Sequence, residues 1–496
     1  LEYQAFVGAA YPSQSNRASP ERLVNWYVEK MESDGASSRA ALYPTPGVST
    51  LATHTAAASG RAHFYINGRE FAVIGKDFVE IDIDGTITDY GDVAVDGNPA
   101  TISSNGDGGG QLFITSGGNG YLFTLSTNTF TSISALADKA TMGDMLDGRF
   151  LALDAATSTV YISDLLDGAT WQTGVVLFQR SEMPDRWIGM RVFNRYIYLF
   201  GTETSSVYYN SGNFPVPFSL HPSGTLQAGT AAGFSPKVVG QSVMWLGSTD
   251  QGDGQVWRTA GFTPEVISTF PVANAINGYG LVSDAIGDSY DDLGHSFYVL
   301  TFPTADATWC FDAKTDLWHE RETWISETST AGAWRPLFHA FAFGKHRILD
   351  RSGPVVYTLS SDNGLDVGGR PIRRWRVSPI LEHENERLFV ASFEIDMETG
   401  LGTQTGQGSD PEVMLQISKD GGKTYGPERW VKAGKAGKYT RRVRWTRNGA
   451  ARQRVFKVMM TDPVPWRVTN AYLMTPQAPE SQRWAFRNQA AVQRGR

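Results

Sequence analysis

A chain of 496 residues with 12% aromatic side chains, 52 glycines and only 19% charged residues is too long for one small core and less charged than the roughly 25% of an average domain. That balance suits a turn-rich all-β protein, whose strands pack aromatic faces and whose tight turns need positive φ. It excludes an internal disulfide, because Cys310 is the only cysteine, and it excludes a helical membrane span, because no apolar run approaches about 18 residues.

The net charge of −7 is unevenly spread: residues 429–496 carry 16 Lys and Arg against Asp462 and Glu480, so that +14 there leaves −21 on residues 1–428. Such asymmetry points to an acidic partner for the C-terminal part. A lone cysteine fits folding in a reducing compartment.

The chain opens on "LEYQAFVGAAYPSQSNR", which lacks the basic start and apolar core of a signal peptide. Residues 19–31, "SPERLVNWYVEKM", read as a short helix with Ser19 as N-cap and Pro20 at the first helical position, or else as an extended arm. Residues 1–60 are accordingly assigned to an N-terminal arm and docking segment.

From Arg61 a three-strand pattern recurs. "RAHFYINGREFAVIGKDFVEIDIDG" has three apolar runs split by "NGRE" and "GKD", and "GQLFITSGGNGYLFTLSTNTFTSI" repeats the plan. Further copies start at Gly148, Arg195, Ser242, Ser296 and Phe338. The copy at Ser296 contains "TWCFDAKTDLWHER", in which Trp309 and Phe311 share one face of a strand, Cys310 and Asp312 the other, and "DAKTD" forms a hairpin loop. Seven units spaced about 40 residues apart are the mark of small antiparallel sheets arranged radially. Residues 61–365 are therefore expected to form a β-propeller of about seven blades, with six as the alternative count. Trp309, Phe311 and Trp318 are expected to fill space between blades.

Beyond "SSDNGLDVGGRP" the strands "ERLFVASFEIDME" and "EVMLQISKD" alternate strongly, and "YTRRVRWTRNGAARQRVFKVMMTD" reads as a hairpin. Residues 366–476 are assigned to a second, C-terminal β domain and 477–496 to a basic polar tail.

Sites of chemistry are sparse. Glu80, Asp82 and Asp84 resemble the front of a calcium loop, but Gly91 stands where the loop's closing Glu belongs. The four aspartates of "SDAIGDSYDD" read as an acidic loop, and His383 as a solvated residue with no zinc-spaced partner. Gly422-Lys423-Thr424 ends like a phosphate-binding loop, yet Ile417 occupies the required glycine position. Cys310 lies mid-strand without a basic neighbour in sequence and reads as a buried structural thiol. Trp445, Trp466 and Trp484 give the basic region too little aromatic interleaving for a single-strand stacking platform. The residues 418–425, "SKDGGKTY", match the Asp-box S-x-D-x-G-x-T-W/Y of sialidase propellers, with "SDLLDGATW" at 163–171 a looser copy. The motif builds a turn: its Asp caps the hairpin and its aromatic plugs into the sheet. A sialidase also needs an arginine cluster, a tyrosine nucleophile and an acid. The F/Y-R-I-P start is absent, and "GRPIRRWR" is only superficially similar. No catalytic, cofactor-binding or metal residue is assigned, and no cofactor is expected. A glycan-binding or sialidase-like glycoside hydrolase tail protein is the alternative function.

Several long stretches, in order along the chain, carry a resemblance: "VNWYVEKM" with "LYPTPGV", "ISDLLDGATW", "YLFGTETSSVYYNSGNFPVPF", "SVMWLGSTDQGDGQVWRTAGFTPEVIST", "GHSFYVLTFPTADATWCFDAKTDLWHER", and "SKDGGKTYGPERW" through "DPVPWRV". Together they resemble the packaged-DNA stabilisation proteins, or tail hub and nozzle proteins, of short-tailed bacteriophages. One departure is "NWYVEK", where the family more often has Asn-Leu-Tyr-Pro-Glu. The resemblance implies a virion tail protein without catalysis, assembled in the host cytoplasm as a homohexamer. That ring would lie below the portal and adaptor, continue the DNA channel without sequence-specific contact, retain the genome, and anchor a needle, fibres or tailspikes.

Overall fold

The computed structural model describes residues 2–33, 38–56, 58–178, 185–249 and 252–475. The expected basic tail, with Trp484, lies outside the described residues. Strands dominate, and among the described residues the single α-helix is Phe270–Asn277. The chain divides into two compact units: one of Thr50–Ala307 with Trp334–Thr358, the other of Leu1–Ser49, Thr308–Ala333 and Leu359–Arg496.

The first unit is built from antiparallel meanders. Gly60–Ile66, Arg69–Ile74, Asp77–Ile81 and Ile87–Asp92 form one four-stranded sheet in sequence order, and residues 101–133, 142–178 and 189–226 repeat it. A five-stranded sheet spans 229–266, and Ile286–Asp292 pairs with His295–Phe302. Pro336–Ala342, Lys345–Asp350 and Val355–Ser360 form the last sheet, which is completed by Gly47–Thr53 from before the first. Middle strands such as Arg69–Ile74 are buried on both faces, which is why they read as continuous apolar runs. Outer strands such as Ile87–Asp92 turn polar and face water. The sharpest turns follow from composition: Asn67-Gly68 and Asp147-Gly148 both take positive φ, as a two-residue hairpin requires.

The strands that open these sheets also touch one another in a closed circuit. Gly60–Ile66 packs on Thr101–Ser104, then Met142–Leu146, Gly189–Phe193, Lys237–Val239, Ile286–Asp292 and Pro336–Ala342 follow, and the last returns to the first. The result is a β-propeller.

The second unit is a sandwich of two sheets. One runs Ala307–Asp312, Leu317–Ile325, Arg22–Val24, Arg374–Val377, Gln453–Met460, Glu412–Ser418, Arg429–Lys432, and Arg22–Val24 lies parallel to its neighbour Leu317–Ile325. The other runs Trp26–Lys30, Ala40–Pro44, Val468–Met474, Ser392–Met397, Val443–Thr446. Phe6, Trp26, Leu42, Phe393, Trp445, Phe456 and Trp466 share their core, with Phe393 stacked on Phe456 at 4.3 Å.

The helix expected over 19–31 does not form. Arg22–Val24 and Trp26–Lys30 are strands in different sheets, joined by Asn25 at φ 57°. Asparagine tolerates that left-handed geometry, and the apolar run is buried on both sides instead of along one helical stripe. The Asn25 side chain fixes the corner: its Nδ2 donates to Glu322 O (3.0 Å) and Arg373 O (2.8 Å), and its Oδ1 accepts from Glu322 N (3.1 Å).

The "DAKTD" loop forms as expected. Asp312 pairs with Leu317, and its carboxylate accepts from Lys314 N at 2.9 Å and Thr315 Oγ1 at 2.7 Å. Trp309 and Phe311 share a face, packing on Trp318 at 6.5 and 5.1 Å. These strands fall in the sandwich unit.

Candidate functional site

Two constellations concentrate buried polar groups, one in each unit. In the propeller they link neighbouring inner strands. Gly143 N donates to Thr101 Oγ1 (2.8 Å), Val192 N to Asp144 Oδ2 (2.8 Å), and Arg191 Nε to Pro236 O (2.8 Å). Asp288 accepts from Lys237 Nζ (2.9 Å) and His339 N (2.7 Å), and His63 Nδ1 lies 2.9 Å from Phe338 O. Gly143 N, Val192 N and His339 N, with the carbonyls of Pro236 and Phe338, gain in this way a partner that an open strand edge lacks. Burial raises the Asp144 carboxyl above its usual range, against the pull of Arg191. Burial likewise holds the His339 imidazole neutral, down at about 3, while its Nε2 meets His346 Nδ1 at 2.9 Å. Beside them Arg347 pairs with Glu70 and donates to Ile83 O at 2.8 Å.

In the sandwich unit the constellation is cationic. Arg374 and Arg376 alternate with Trp375 and Val377 along one strand and project from its opposite face. Arg376 reaches Glu21 Oε2 at 2.7 Å, and Arg373 on the Trp side pairs with Glu322 at 2.8 Å. Burial raises the Glu21 carboxyl despite that partner.

The Asp-box forms the turn its sequence implies. Asp420 accepts from Ser418 Oγ (2.6 Å), Thr424 Oγ1 (2.5 Å), Lys423 N (3.0 Å) and Thr424 N (3.0 Å), while Gly422 N donates to Ser418 Oγ (2.9 Å). Gly421 and Gly422 take φ 77° and 91°. Tyr425 packs beside Val24, Trp375 and Val455. The looser copy at 163–171 differs: Ser163 accepts from Phe150 N, Asp167 caps Ala169 N, and Trp171 rests on Phe113.

The remaining candidates separate. Glu80 is bound by Arg69 and Tyr90, and Asp84 caps Thr86 N, so the calcium-like acids do not converge. Asp284 accepts from Thr304 N, whereas Asp288 belongs to the propeller latches. Asp77, Asp89 and Asp92 do approach one another, with Lys76 Nζ 2.6 Å from Asp92. Cys310 is fully buried, and burial pushes its thiol pKa up. Trp445 and Trp466 lie in the sandwich core, where their indole N–H groups donate to Arg429 O and Asp462 O. His383 is not a solvated residue: it is only 9% exposed, because strand alternation turns Leu381 and His383 inward and Glu382 outward. Sequence reasoning missed the arginine pair and the inner-strand latches. The alternation in "RRWRV" was the available signal for the former; nothing local announced the latter.

The family described as Bacteriophage P22 Gp10, beta-propeller, matches residues 18–364, and the one described as Bacteriophage P22 Gp10, beta-sandwich, matches 373–475. The chain belongs to the bacteriophage P22 Gp10 family. It is thus a bacteriophage structural protein and a virion component, with the propeller and sandwich of that family. No curated protein sequence matches it significantly. Among solved structures, virginiamycin B lyase from Staphylococcus aureus is similar at 11% identity and TM-score 0.44, covering 64% of this chain and 99% of the lyase. PorZ of Porphyromonas gingivalis is similar at 12% identity and TM-score 0.38, over 70% of this chain and 44% of PorZ. The computationally designed Ika8 protein shows 10% identity and TM-score 0.40, over 62% of this chain and 99% of Ika8. Similarity at this level carries no argument about activity.

Proposed function

We propose that this Gp10-family protein is the tail hub, or nozzle, of a short-tailed phage, forming a homohexameric ring below the portal and adaptor. In this reading the ring continues the DNA channel, retains the packaged genome without sequence-specific contact, and anchors the needle, fibres or tailspikes. It acts without catalysis and assembles in the host cytoplasm. Its propeller has seven blades, and its sandwich unit docks to the tail parts above. The family match across both domains carries the reading. A propeller built from locally latched sheets suits a rigid ring subunit, and a closed ring needs a heterologous interface on each copy. The −21/+14 charge division supports docking of the basic C-terminal part to an acidic partner.

The test is genome retention. Particles assembled without this protein are given it back, and nuclease-sensitive DNA is measured. Leakage should stop and a ring should appear at the tail vertex. Unchanged leakage rejects the hub and directs the next assay to polysaccharide binding and cleavage. Removing residues 483–496 should weaken docking to the adaptor; unchanged docking at physiological salt rules the tail out as a contact.

A further inference from the structure

Between Glu428 and Asp462 the chain carries no acid, and within "KAGKAGKYTR" a cation stands at every third residue: Lys432, Lys435, Lys438 and Arg441. Lys432 ends Arg429–Lys432, the edge strand of its sheet. Two successive β-turns carry the other three, closed by Lys438 N donating to Lys435 O (2.9 Å) and Arg441 N to Lys438 O (3.4 Å). Gly437 supplies φ 81° at the third position of the first turn. A β-turn brings its ends within about 7 Å, so these cations follow one another at short, even steps.

The loop backbone is pinned. Ala433 N donates to Pro411 O (2.7 Å), Gly437 N to Gly400 O (3.0 Å), and Tyr439 O accepts from Thr399 Oγ1 (2.9 Å). All four cations are exposed, and Tyr439 beside them is 71% exposed. Lys432 pairs with Asp410 and feels Glu412 further off. Lys435 and Arg441 act with Lys432 on the same Asp410 carboxyl, which is held below its usual range. Arg441 uses its Nε on Lys432 O at 3.3 Å. Among the described residues, no carboxylate lies within ion-pair distance of Lys435, Lys438 or Arg441.

Scattered surface lysines mark no site. A row of cations on a fixed backbone, with alanine and glycine between them, matches a partner whose own charges repeat. Protein–protein interfaces are depleted in lysine, whereas a lysine is a point charge that demands no planar register from its partner. Lys, Arg, Thr and Tyr, all present in 432–441, are residue types that bond phosphate oxygens. A duplex offers a phosphate on each strand for about every 3.4 Å of its axis, so one strand can meet several of these cations at once.

We infer that residues 432–441 form a docking surface for the phosphate backbone of double-stranded DNA, with Lys435, Lys438 and Arg441 each taking one phosphate. The contact is indifferent to base sequence, because it is made to phosphate. The choice of DNA among polyanions rests on the hub reading, in which the genome passes this protein.

The measurement is anisotropy of a labelled duplex titrated with the full chain at salt concentrations from about 50 to 200 mM. Lys435→Gln, Lys438→Gln and Arg441→Gln together should weaken binding at least about tenfold at the lowest salt and make the slope of log K against log salt shallower by about 3, at about 0.9 per phosphate. Two duplexes of unlike sequence should lose equally. The triple variant should keep the native unfolding midpoint, since the changed side chains are exposed. Should it misfold, Lys438→Gln alone decides: a slope shallower by about 1 supports the surface, and an unchanged slope overturns it. No binding by the native chain overturns the surface. An equal slope in native chain and triple variant also overturns it, and assigns the binding to residues outside 432–441. Tighter binding of polyglutamate than of duplex at equal salt, lost in the triple variant, overturns DNA in favour of an acidic protein. Each of these failures leaves genome retention untouched, which tests the hub by itself.

Discussion

The two units reach stability by opposite routes. In the propeller nearly every pairing joins strands adjacent in sequence, and single side-chain bonds to backbone then stitch one sheet to the next. The sandwich gathers Leu1–Ser49 with two later segments that begin only at Thr308 and Leu359, and it holds them with guanidiniums buried whole, a device that the propeller uses where its last sheet meets its first, at Arg347 and Glu70. Local pairing costs little loop entropy, so modest latches suffice; distant pairing must recover more, from aromatic cores and buried ion pairs. One chain thus shows where evolution can use small polar contacts and where it needs large ones.

The largest effect tests the sandwich. Arg376→Met leaves Glu21 buried without its cation and should cost about 3–5 kcal/mol, read from denaturant midpoints. Hydrogen exchange should quicken in Arg22–Val24 and Arg374–Val377 before it does in Gly60–Ile66. Equal quickening in both units would break the contrast. Trp309→Ala should cost a similar amount, about 3–5 kcal/mol, as a core deletion; a near-neutral midpoint would refute its burial beside Trp318. In the propeller, Asp288→Ala strands Lys237 and His339 N and should cost less, about 1–3 kcal/mol, with exchange quickening at Pro336–Ala342.

The smallest effect is at the Asp-box turn, where water keeps the loss from Asp420→Ala to about 1 kcal/mol. Its pH dependence sharpens the test. Bonds from Ser418, then Thr424 and backbone N–H groups, hold the Asp420 carboxyl well below the usual carboxylate range. A depressed folded pKa gives stability that is present above the unfolded pKa of about 4 and fades as pH falls further. The acid limb of the native chain should therefore be steeper than that of the variant, and parallel limbs would show that the turn contributes nothing.

The route of assembly also decided what could be read beforehand. The propeller was legible because its strands repeat at close range and its turns carry Asn-Gly and Asp-Gly. The Asp-box was legible because all its bonds lie within eight residues. Asn25 misled, since the caps Ser19 and Pro20 suit a helix whose interior a distant strand then claims. The helix Phe270–Asn277 passed unnoticed, although Thr269 stands at its N-cap and Pro271 in its first turn. The buried arginines were hidden for a plainer reason: "GRPIRRWR" looks like solvated charge until residues from 5 to 45 are folded over it.

The strand Gly47–Thr53, which completes the final propeller sheet beside Val355–Ser360, sets a schedule for the ribosome. About 300 residues must be made after that strand before its neighbour exists. At about 5–20 residues per second, the early strand waits roughly 15–60 s with an unpaired edge. During that interval it is a target for chaperones or for the wrong nascent chain, and the propeller closes only when translation passes residue 360.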